Sequence, residues 1–114
     1  LILSRLEVIN DGKTAILYLK RDELKKYGFE KGDTEGFVNY GLSILGVEVS
    51  AFFIEDLYEE FIKISFRSKK NIDVNNFSRK YFNGGGHINA SGGKSLDDME
   101  TTISKFKNLA SELK

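Results

Sequence analysis

The chain contains a single histidine, His87, and it directly follows three consecutive glycines in the run Asn83-Gly84-Gly85-Gly86-His87-Ile88-Asn89-Ala90-Ser91-Gly92-Gly93. Backbone without side chains leaves its N–H groups unshielded, so adjacent glycines can turn them together towards phosphate oxygens. An imidazole beside them donates a hydrogen bond to phosphate, more strongly when protonated. Arg67 has matching chemistry, a planar fork suited to two phosphate oxygens at once. Together these residue types point to phosphate recognition. Taken alone, they also allow a glycine-rich connector beside a histidine with no function. The run lacks the Lys-Ser/Thr ending of a P-loop, and its contiguous glycines do not reproduce the spaced glycines of a dinucleotide fingerprint.

Other chemistries are excluded by composition. One histidine and scattered acids make no Asp-His-His cluster, so the chain does not encode two-metal hydrolysis. Cysteine is absent, which rules out disulfides and thiolate metal sites and fits an intracellular, cytoplasmic location. A formal net charge of +0 argues against a surface built for a long polyanion. The basic clusters at Lys20-Arg21, Lys25-Lys26 and Arg67 to Lys70 are flanked or answered by acids and read as solvated faces. No apolar stretch approaches the ~20 residues of a membrane-spanning helix. With 114 residues, 40% of them hydrophobic, the chain has the material for one folded domain. It begins at Leu1 rather than Met, from which we expect a piece of a longer protein.

These residues need elements to position them. Two β-prone runs, 6–10 and 14–19, flank Asp11-Gly12-Lys13 and signal a hairpin. Residues 21–27 read as a short helix ended by Gly28, with a loop at Glu30-Lys31-Gly32-Asp33. Residues 34–45 have nearer to helical spacing and predict a glycine-containing helix ending near Gly46, its glycines there either for close packing or for a ligand. Residues 47–55 and 60–68 read as paired strands. Alternation in the second puts Phe61, Lys63, Ser65 and Arg67 on one face and Ile62, Ile64, Phe66 and Ser68 on the other. A helix over 74–82 with Asp73 as N-cap, the glycine run as a loop, and a final helix over 95–113 complete the chain. In that last helix we expect Ser95 as N-cap, Asp98 at capping-box spacing, and Met99, Ile103, Phe106, Leu109 and Leu113 on the buried side. The order predicts an α+β fold, a mixed β-sheet packed with helices.

Gly84-Gly85-Gly86-His87-Ile88-Asn89-Ala90-Ser91-Gly92 resembles the glycine-rich, histidine-containing signature of the DHH-associated domain that ends many DHH-family phosphoesterases. Asp33-Thr34-Glu35-Gly36-Phe37-Val38-Asn39 agrees, as does Ile62 to Lys69 leading to Ile72-Asp73-Val74, and the order is kept. The likeness is nearest to the nano-RNase and pAp-phosphatase (oligoribonuclease) branch. It implies that residues 1–114 form a single substrate-binding domain of a longer two-domain protein. An N-terminal DHH catalytic domain in the same chain would then hold Mn2+ through aspartates and histidines.

Carried over by position, Arg67 and Ser68 would contact phosphate, Gly85 and Gly86 would offer N–H groups, and His87 would hydrogen-bond phosphate. Gly84 and Ala90 complete the implied substrate-binding set, with no catalytic residue and no metal ligand here. Asn83 stands where members often have a fourth glycine, and asparagine tolerates positive φ better than most residues.

The function implied is manganese-dependent hydrolysis of short oligoribonucleotides or pAp-like nucleotides by the full-length protein, with this fragment inactive alone. Alternatives are a cyclic-dinucleotide or exopolyphosphatase-like phosphohydrolase of the same superfamily, a stand-alone nucleic-acid-binding module, or a structural or dimerisation domain. The expected partners are the DHH domain and a short RNA or mononucleotide substrate, with no membrane and with a homodimer left open.

Overall fold

The sheet is built around Val49–Glu55 (β3), a β-branched and aromatic run in which all residues but Glu55 are buried, as in a strand covered on both faces. The structure is a computed structural model and describes residues 5–26, 28 and 33–113. Leu6–Ile9 (β1) and Thr14–Leu19 (β2) form the expected antiparallel hairpin, from Leu6↔Leu17 to Ile9↔Thr14. Asn10, Asp11 and Gly12 take positive φ in its turn.

β2 runs parallel to β3, from Thr14↔Val49 to Leu19↔Ile54, so the chain must cross over between them. It does so through Arg21–Lys26 (α1) and Asp33–Ser43 (α2). Ile62–Ser68 (β4) pairs antiparallel with β3, as its alternation predicts. Val74–Tyr81 (α3) begins on the expected cap, with Asp73 Oδ1 accepting the Asn76 N–H at 2.9 Å.

Gly85–His87 (β5) and Ala90–Ser95 (β6) follow, then Met99–Leu109 (α4) and a 3-10 turn at Ala110–Glu112. The strand order is β1-β2-β3-β4-β6-β5. Among the described residues, a mixed sheet of six strands packed with four helices makes the α+β fold the sequence predicts.

Alternation divides the core. Ile16, Ala51, Phe53, Ile64 and Phe66 pack with Phe77 of α3 and Met99 and Phe106 of α4. Leu17, Leu19, Phe52 and Ile54 pack on the other face with Leu24 of α1 and Val38 of α2. Phe66 anchors the first cluster, with ring centroids 5.7 Å from Phe77 and Phe82 and 5.9 Å from Phe106. Aromatic contacts of this kind add about 0.5–1.5 kcal/mol each beyond burial.

The structure corrects several boundaries. The glycine run is not a loop throughout but contains the β5–β6 hairpin, whose strands lack the branched residues that signal β structure. The last helix starts at Met99, not Ser95, because Asp98 caps it by accepting the Thr101 N–H at 2.8 Å. Ser95 is drawn into the sheet opposite Ile62, and its hydroxyl pairs with that of Thr102 at 2.7 Å. That helix also ends at Leu109, short of the predicted 113, although Leu113 is buried as expected. α2 ends at Ser43 rather than near Gly46, which has φ +89° in the turn beyond. Gly28 takes φ +63° after α1, as a helix-ending glycine should. The loop expected at Glu30 to Asp33 lies outside the described residues apart from Asp33, which opens α2.

The two α2 glycines separate by role. Gly36 has open space where a Cβ would stand, whereas a Cβ on Gly41 would lie 2.2 Å from Ser50 Oγ and 2.9 Å from Leu17 Cδ1. Gly41 therefore sets how closely α2 approaches β3. Ser50 Oγ is buried there with no hydrogen-bond partner among the described residues. We predict that Gly41→Ala lowers stability by about 1–3 kcal/mol through overpacking. Ser50→Ala alone should cost little, because it removes an unpaired hydroxyl, and added to Gly41→Ala it should recover part of the loss. Denaturant midpoints of the two single variants and the double variant check this, and strict additivity would refute the contact.

Candidate functional site

The side chains that could recognise phosphate are set by strand register. β4 pairs with β6 and β6 with β5, aligning Arg67↔Ala90↔His87 and Ser65↔Gly92↔Gly85, with Lys63↔Lys94 beside them. Cross-strand neighbours share a face, so Arg67, Ala90 and His87 form one row, Ser65 and two glycines the next, and two lysines the third. The opposite face of β4 carries the buried residues Ile62, Ile64, Phe66 and Ser68. Arg67 and His87 stand about two strand spacings, roughly 10 Å, apart at their backbones. Only the methyl group of Ala90 lies in the row between them, so both side chains can reach towards a group placed above it.

α2 packs over β2, β3 and β4. On the same side the β4–β6–β5 surface opens into a groove of about 470 Å3. Its floor is Gly84, Gly85, Gly92 and Gly93, and its rim includes Lys63, Ser65, Asn83 and Lys94. Among the described residues neither lysine has an acid at ion-pair distance, and the Lys94 ammonium sits 4.6 Å over the Phe61 ring. Asn83 takes φ +52°, the left-handed conformation that the replacement of a glycine there requires.

The glycines are fixed by steric limits more than by open N–H groups. A Cβ on Gly84 would lie 1.7 Å from Gly92 O, one on Gly86 2.6 Å from Ala90 O, and one on Gly93 2.8 Å from Phe82 Cβ. The Gly84 N–H donates to Ser78 O at 3.1 Å and the Gly86 N–H to Asn75 Oδ1 at 2.8 Å. Because the Gly86 N–H points out to α3, strand alternation turns that of Gly85 towards β6. A ligand would thus reach the Gly86 N–H only by displacing the Asn75 amide, an exposed contact.

Arg67 is held in place rather than left loose. Its Nε and Nη2 donate to the Glu35 carboxylate at 3.3 and 2.5 Å, and its Nη1 to Phe66 O at 2.8 Å. The Arg67 hydrogen bond, with its charge, holds the Glu35 pKa below the ordinary glutamate value. Ser68 sits on the core face, away from Arg67. Its hydroxyl donates to Ile72 O at 2.6 Å and accepts from Asn89 Nδ2 at 3.0 Å, and its N–H donates to Asn89 O at 3.0 Å. In this position Ser68 ties the β5–β6 turn to the loop after β4.

Of the expected site residues, strand register brings Arg67, Ala90 and His87 onto one face, while the space a Gly85 side chain would take is filled by Arg79 of α3, its Nε 3.3 Å away. Gly84 borders it, Gly86 faces α3 through its N–H, and Ser68 lies behind. Sequence reading missed Lys63, Ser65, Lys94, Asn75 and Arg79. The alternation that placed Arg67 already put Lys63 and Ser65 beside it, whereas Lys94 could be found only once β6 was known. Asn75 and Arg79 are an i,i+4 pair on α3. Asn75 Oδ1 accepts from Arg79 Nε at 2.9 Å as well as from Gly86, so α3 braces the edge strand.

Among the described residues no group of three or more His, Asp or Glu side chains could hold a metal ion, and no helix is long and apolar enough to cross a membrane. The Arg67 to Lys70 cluster is answered by acids as expected, Arg67 by Glu35 and Lys70 by Glu48.

A family model described as the DHHA1 domain matches residues 11–113. The bifunctional oligoribonuclease and PAP phosphatase NrnA of Bacillus subtilis is 31% identical over 106 residues, covering 91% of this chain and 33% of that protein. A 3',5'-cyclic-nucleotide phosphodiesterase of Helicobacter pylori is 32% identical over 94 residues, covering 76% of this chain and 26% of that protein. Among solved structures, an exopolyphosphatase-related protein from Bacteroides fragilis superposes with a TM-score of 0.88 at 40% identity, over 97% of this chain and 32% of the other. The chain thus spans between about a quarter and a third of the length of the relatives it matches.

Two predictions follow from this geometry. Gly84→Ala should force β5 away from β6, abolishing cross-strand amide contacts between Gly85 and Gly92 in NMR spectra, while the Phe66 cluster stays folded. For Glu35, a folded pKa below the unfolded one means stabilisation present above the unfolded pKa and lost as pH falls through the folded pKa. With Glu35 largely exposed, the contribution should not exceed about 1 kcal/mol. The Glu35 carboxyl resonance should titrate below the ordinary glutamate range and return to it in Arg67→Ala.

Proposed function

Because the chain belongs to the DHHA1 family, the DHH-associated domain of DHH-family phosphoesterases, we propose that it is the substrate clamp of such an enzyme, acting on short oligoribonucleotides or pAp-like nucleotides. The observation that carries this reading is the row Arg67–Ala90–His87 bordering a glycine-floored groove. A terminal phosphate placed over Ala90 receives the Arg67 fork from one side and the His87 imidazole from the other. The arginine makes two parallel charge-assisted hydrogen bonds, and the histidine donates one more. Glu35 keeps the guanidinium extended across the face until the phosphate competes for it.

Holding the phosphate orients the scissile bond towards a second domain, which converts a chance encounter into an aligned one. In this reading the bond-breaking chemistry belongs to manganese held by an N-terminal DHH domain in the same chain, where the metal would activate water and stabilise negative charge on the phosphoryl oxygens. The described residues here offer no ligand group for it, so their share is to bind and orient. The clamp is proposed to work in the cytoplasm and with no part in a membrane. Whether two chains pair leaves this role unchanged.

The likeness to the oligoribonuclease and PAP phosphatase supports the substrate class named above. A 3',5'-cyclic nucleotide substrate is the second reading, supported by the likeness to a 3',5'-cyclic-nucleotide phosphodiesterase at similar identity. Comparing turnover of pAp, a linear dinucleotide and a 3',5'-cyclic mononucleotide by the full-length protein separates the two.

Arg67→Ala and His87→Ala in the full-length protein should each lower kcat/KM by about 10- to 100-fold, the worth of a charged hydrogen bond, with metal content unchanged. Unchanged kcat/KM in both would sink the clamp. In this chain alone, AMP, GMP or pAp should shift the amide signals from Gly84 to Ala90, and silence there would count equally against it.

A further inference from the structure

A second cavity of about 270 Å3 adjoins the groove. Asp56 and Lys63 line both, so the two spaces meet at the start of β4. The second space differs in character: Leu24, Ile54, Leu57 and Tyr58 make it mostly apolar. Together the two fall within the ~300–1,000 Å3 usual for ligand sites, an apolar part joined to a few placed polar groups.

Tyr58 is the unusual feature. It is 91% exposed, on the turn between β3 and β4. That turn is rigidly built. Asp56 N–H donates to Phe61 O at 3.0 Å, and Asp56 Oδ2 accepts from the N–H groups of Tyr58 and Glu59 at 3.0 and 2.9 Å. From α1, Arg21 Nε donates to Asp56 O at 2.7 Å and its Nη2 to Glu59 O at 2.9 Å. A large aromatic ring held out in water on a braced turn is pre-organised for stacking, because little ordering remains to be done on binding. The Asp56 carboxylate is kept ionised by those backbone donors, its pKa lowered chiefly by the Tyr58 N–H, and so remains an acceptor for an N–H edge.

Distance decides what can occupy this space. From Arg67 back to Lys63 is four residues of strand, about 13 Å at ~3.3 Å per residue, and the apolar cavity lies beyond Lys63. A single nucleotide with its phosphate on Arg67 and His87 cannot place its base there, but the next nucleotide of a chain can. Between the two ends the path crosses Gly92, which has no side chain, and passes between Lys63 and Lys94.

We propose that the Leu57–Tyr58 cavity is a nucleobase subsite for the second nucleotide of a short oligonucleotide, whose phosphodiester link lies over the glycine floor between Lys63 and Lys94. The proposal deepens the clamp reading and rests on its placement of the first phosphate at Arg67 and His87. It makes the substrate a chain of at least two nucleotides, recognised by base stacking on Tyr58, which tolerates any base because each has a π-face.

The test measures equilibrium binding to the full-length protein of AMP, of a phosphorothioate-linked diadenylate with a 5'-phosphate, and of the same dinucleotide with an abasic second sugar. The wild type should bind the intact dinucleotide about tenfold more tightly than either of the others, within the range of a single base stack. Tyr58→Ala should remove that advantage and leave AMP within about twofold, while Tyr58→Phe should keep it, since stacking needs the ring and not the hydroxyl. Being exposed, Tyr58 can be replaced without disturbing the core. Equal weakening of AMP and dinucleotide by Tyr58→Ala, or no effect on either, would overturn the subsite. Failure of the underlying clamp is a separate result, AMP binding that survives Arg67→Ala.

Discussion

The site depends on how closely β5, β6 and the chain before them can approach. Three backbone positions leave no room for a Cβ: Gly84 against Gly92 O, Gly86 against Ala90 O, and Gly93 against Phe82. A side chain at any of them would separate strands whose register alone brings His87 opposite Ala90 and Ala90 opposite Arg67. The missing side chains have a second effect, because Gly84, Gly85, Gly92 and Gly93 are also the floor of the groove. Close approach on one side of the backbone and open space on the other come from the same substitution of hydrogen for Cβ.

The groove is coupled to the core through β4. Even-numbered residues Ile62, Ile64 and Phe66 fill the aromatic cluster, and odd-numbered Lys63, Ser65 and Arg67 face the groove. A register slip of one residue would bury two cations and a hydroxyl and expose Phe66, so the packing of Phe66 against Phe77, Phe82 and Phe106 also fixes where the arginine points. α3 adds a second tie. Its Phe77 packs in that cluster, while its Asn75 holds the Gly86 N–H at the sheet edge. Core packing and site geometry are therefore set by the same elements.

Much of this was legible in the sequence where a side chain carries the signal. Alternation in 60–68 assigned both faces of β4 correctly, and Asp73 announced the start of α3. What failed had no side chain to read: β5 and β6 are mostly glycine, serine and alanine, and their pairing comes from the fit of bare backbone. Ser95 and Asp98 are both credible caps, and only the pairing of Ser95 with Ile62 decides between them. The Glu35 partner of Arg67 lies 32 residues away across the parallel crossover, a contact that no local pattern encodes. At the site, resemblance contributed the phosphate assignment, while register showed that Ser68 lies behind the face that Arg67 and His87 share.

Net charge conceals the electrostatics of the site. The chain sums to +0 from 17 bases and 17 acids, some of them paired across the surface, Arg5 with Glu23, Lys70 with Glu48, Lys107 with Glu7. Lys63 and Lys94 stand opposite each other in register with no acid at ion-pair distance among the described residues, and Asp56 lines the same groove. Arg67 is paired, but its partner Glu35 is a largely exposed carboxylate, and exposed pairs are weak. In the proposed clamp, a phosphate over Ala90 would compete with that one exposed carboxylate for the Arg67 guanidinium. Two lysines and an arginine gathered on one face of an otherwise neutral chain would, in the proposed clamp, favour a short anion over a long polyanion.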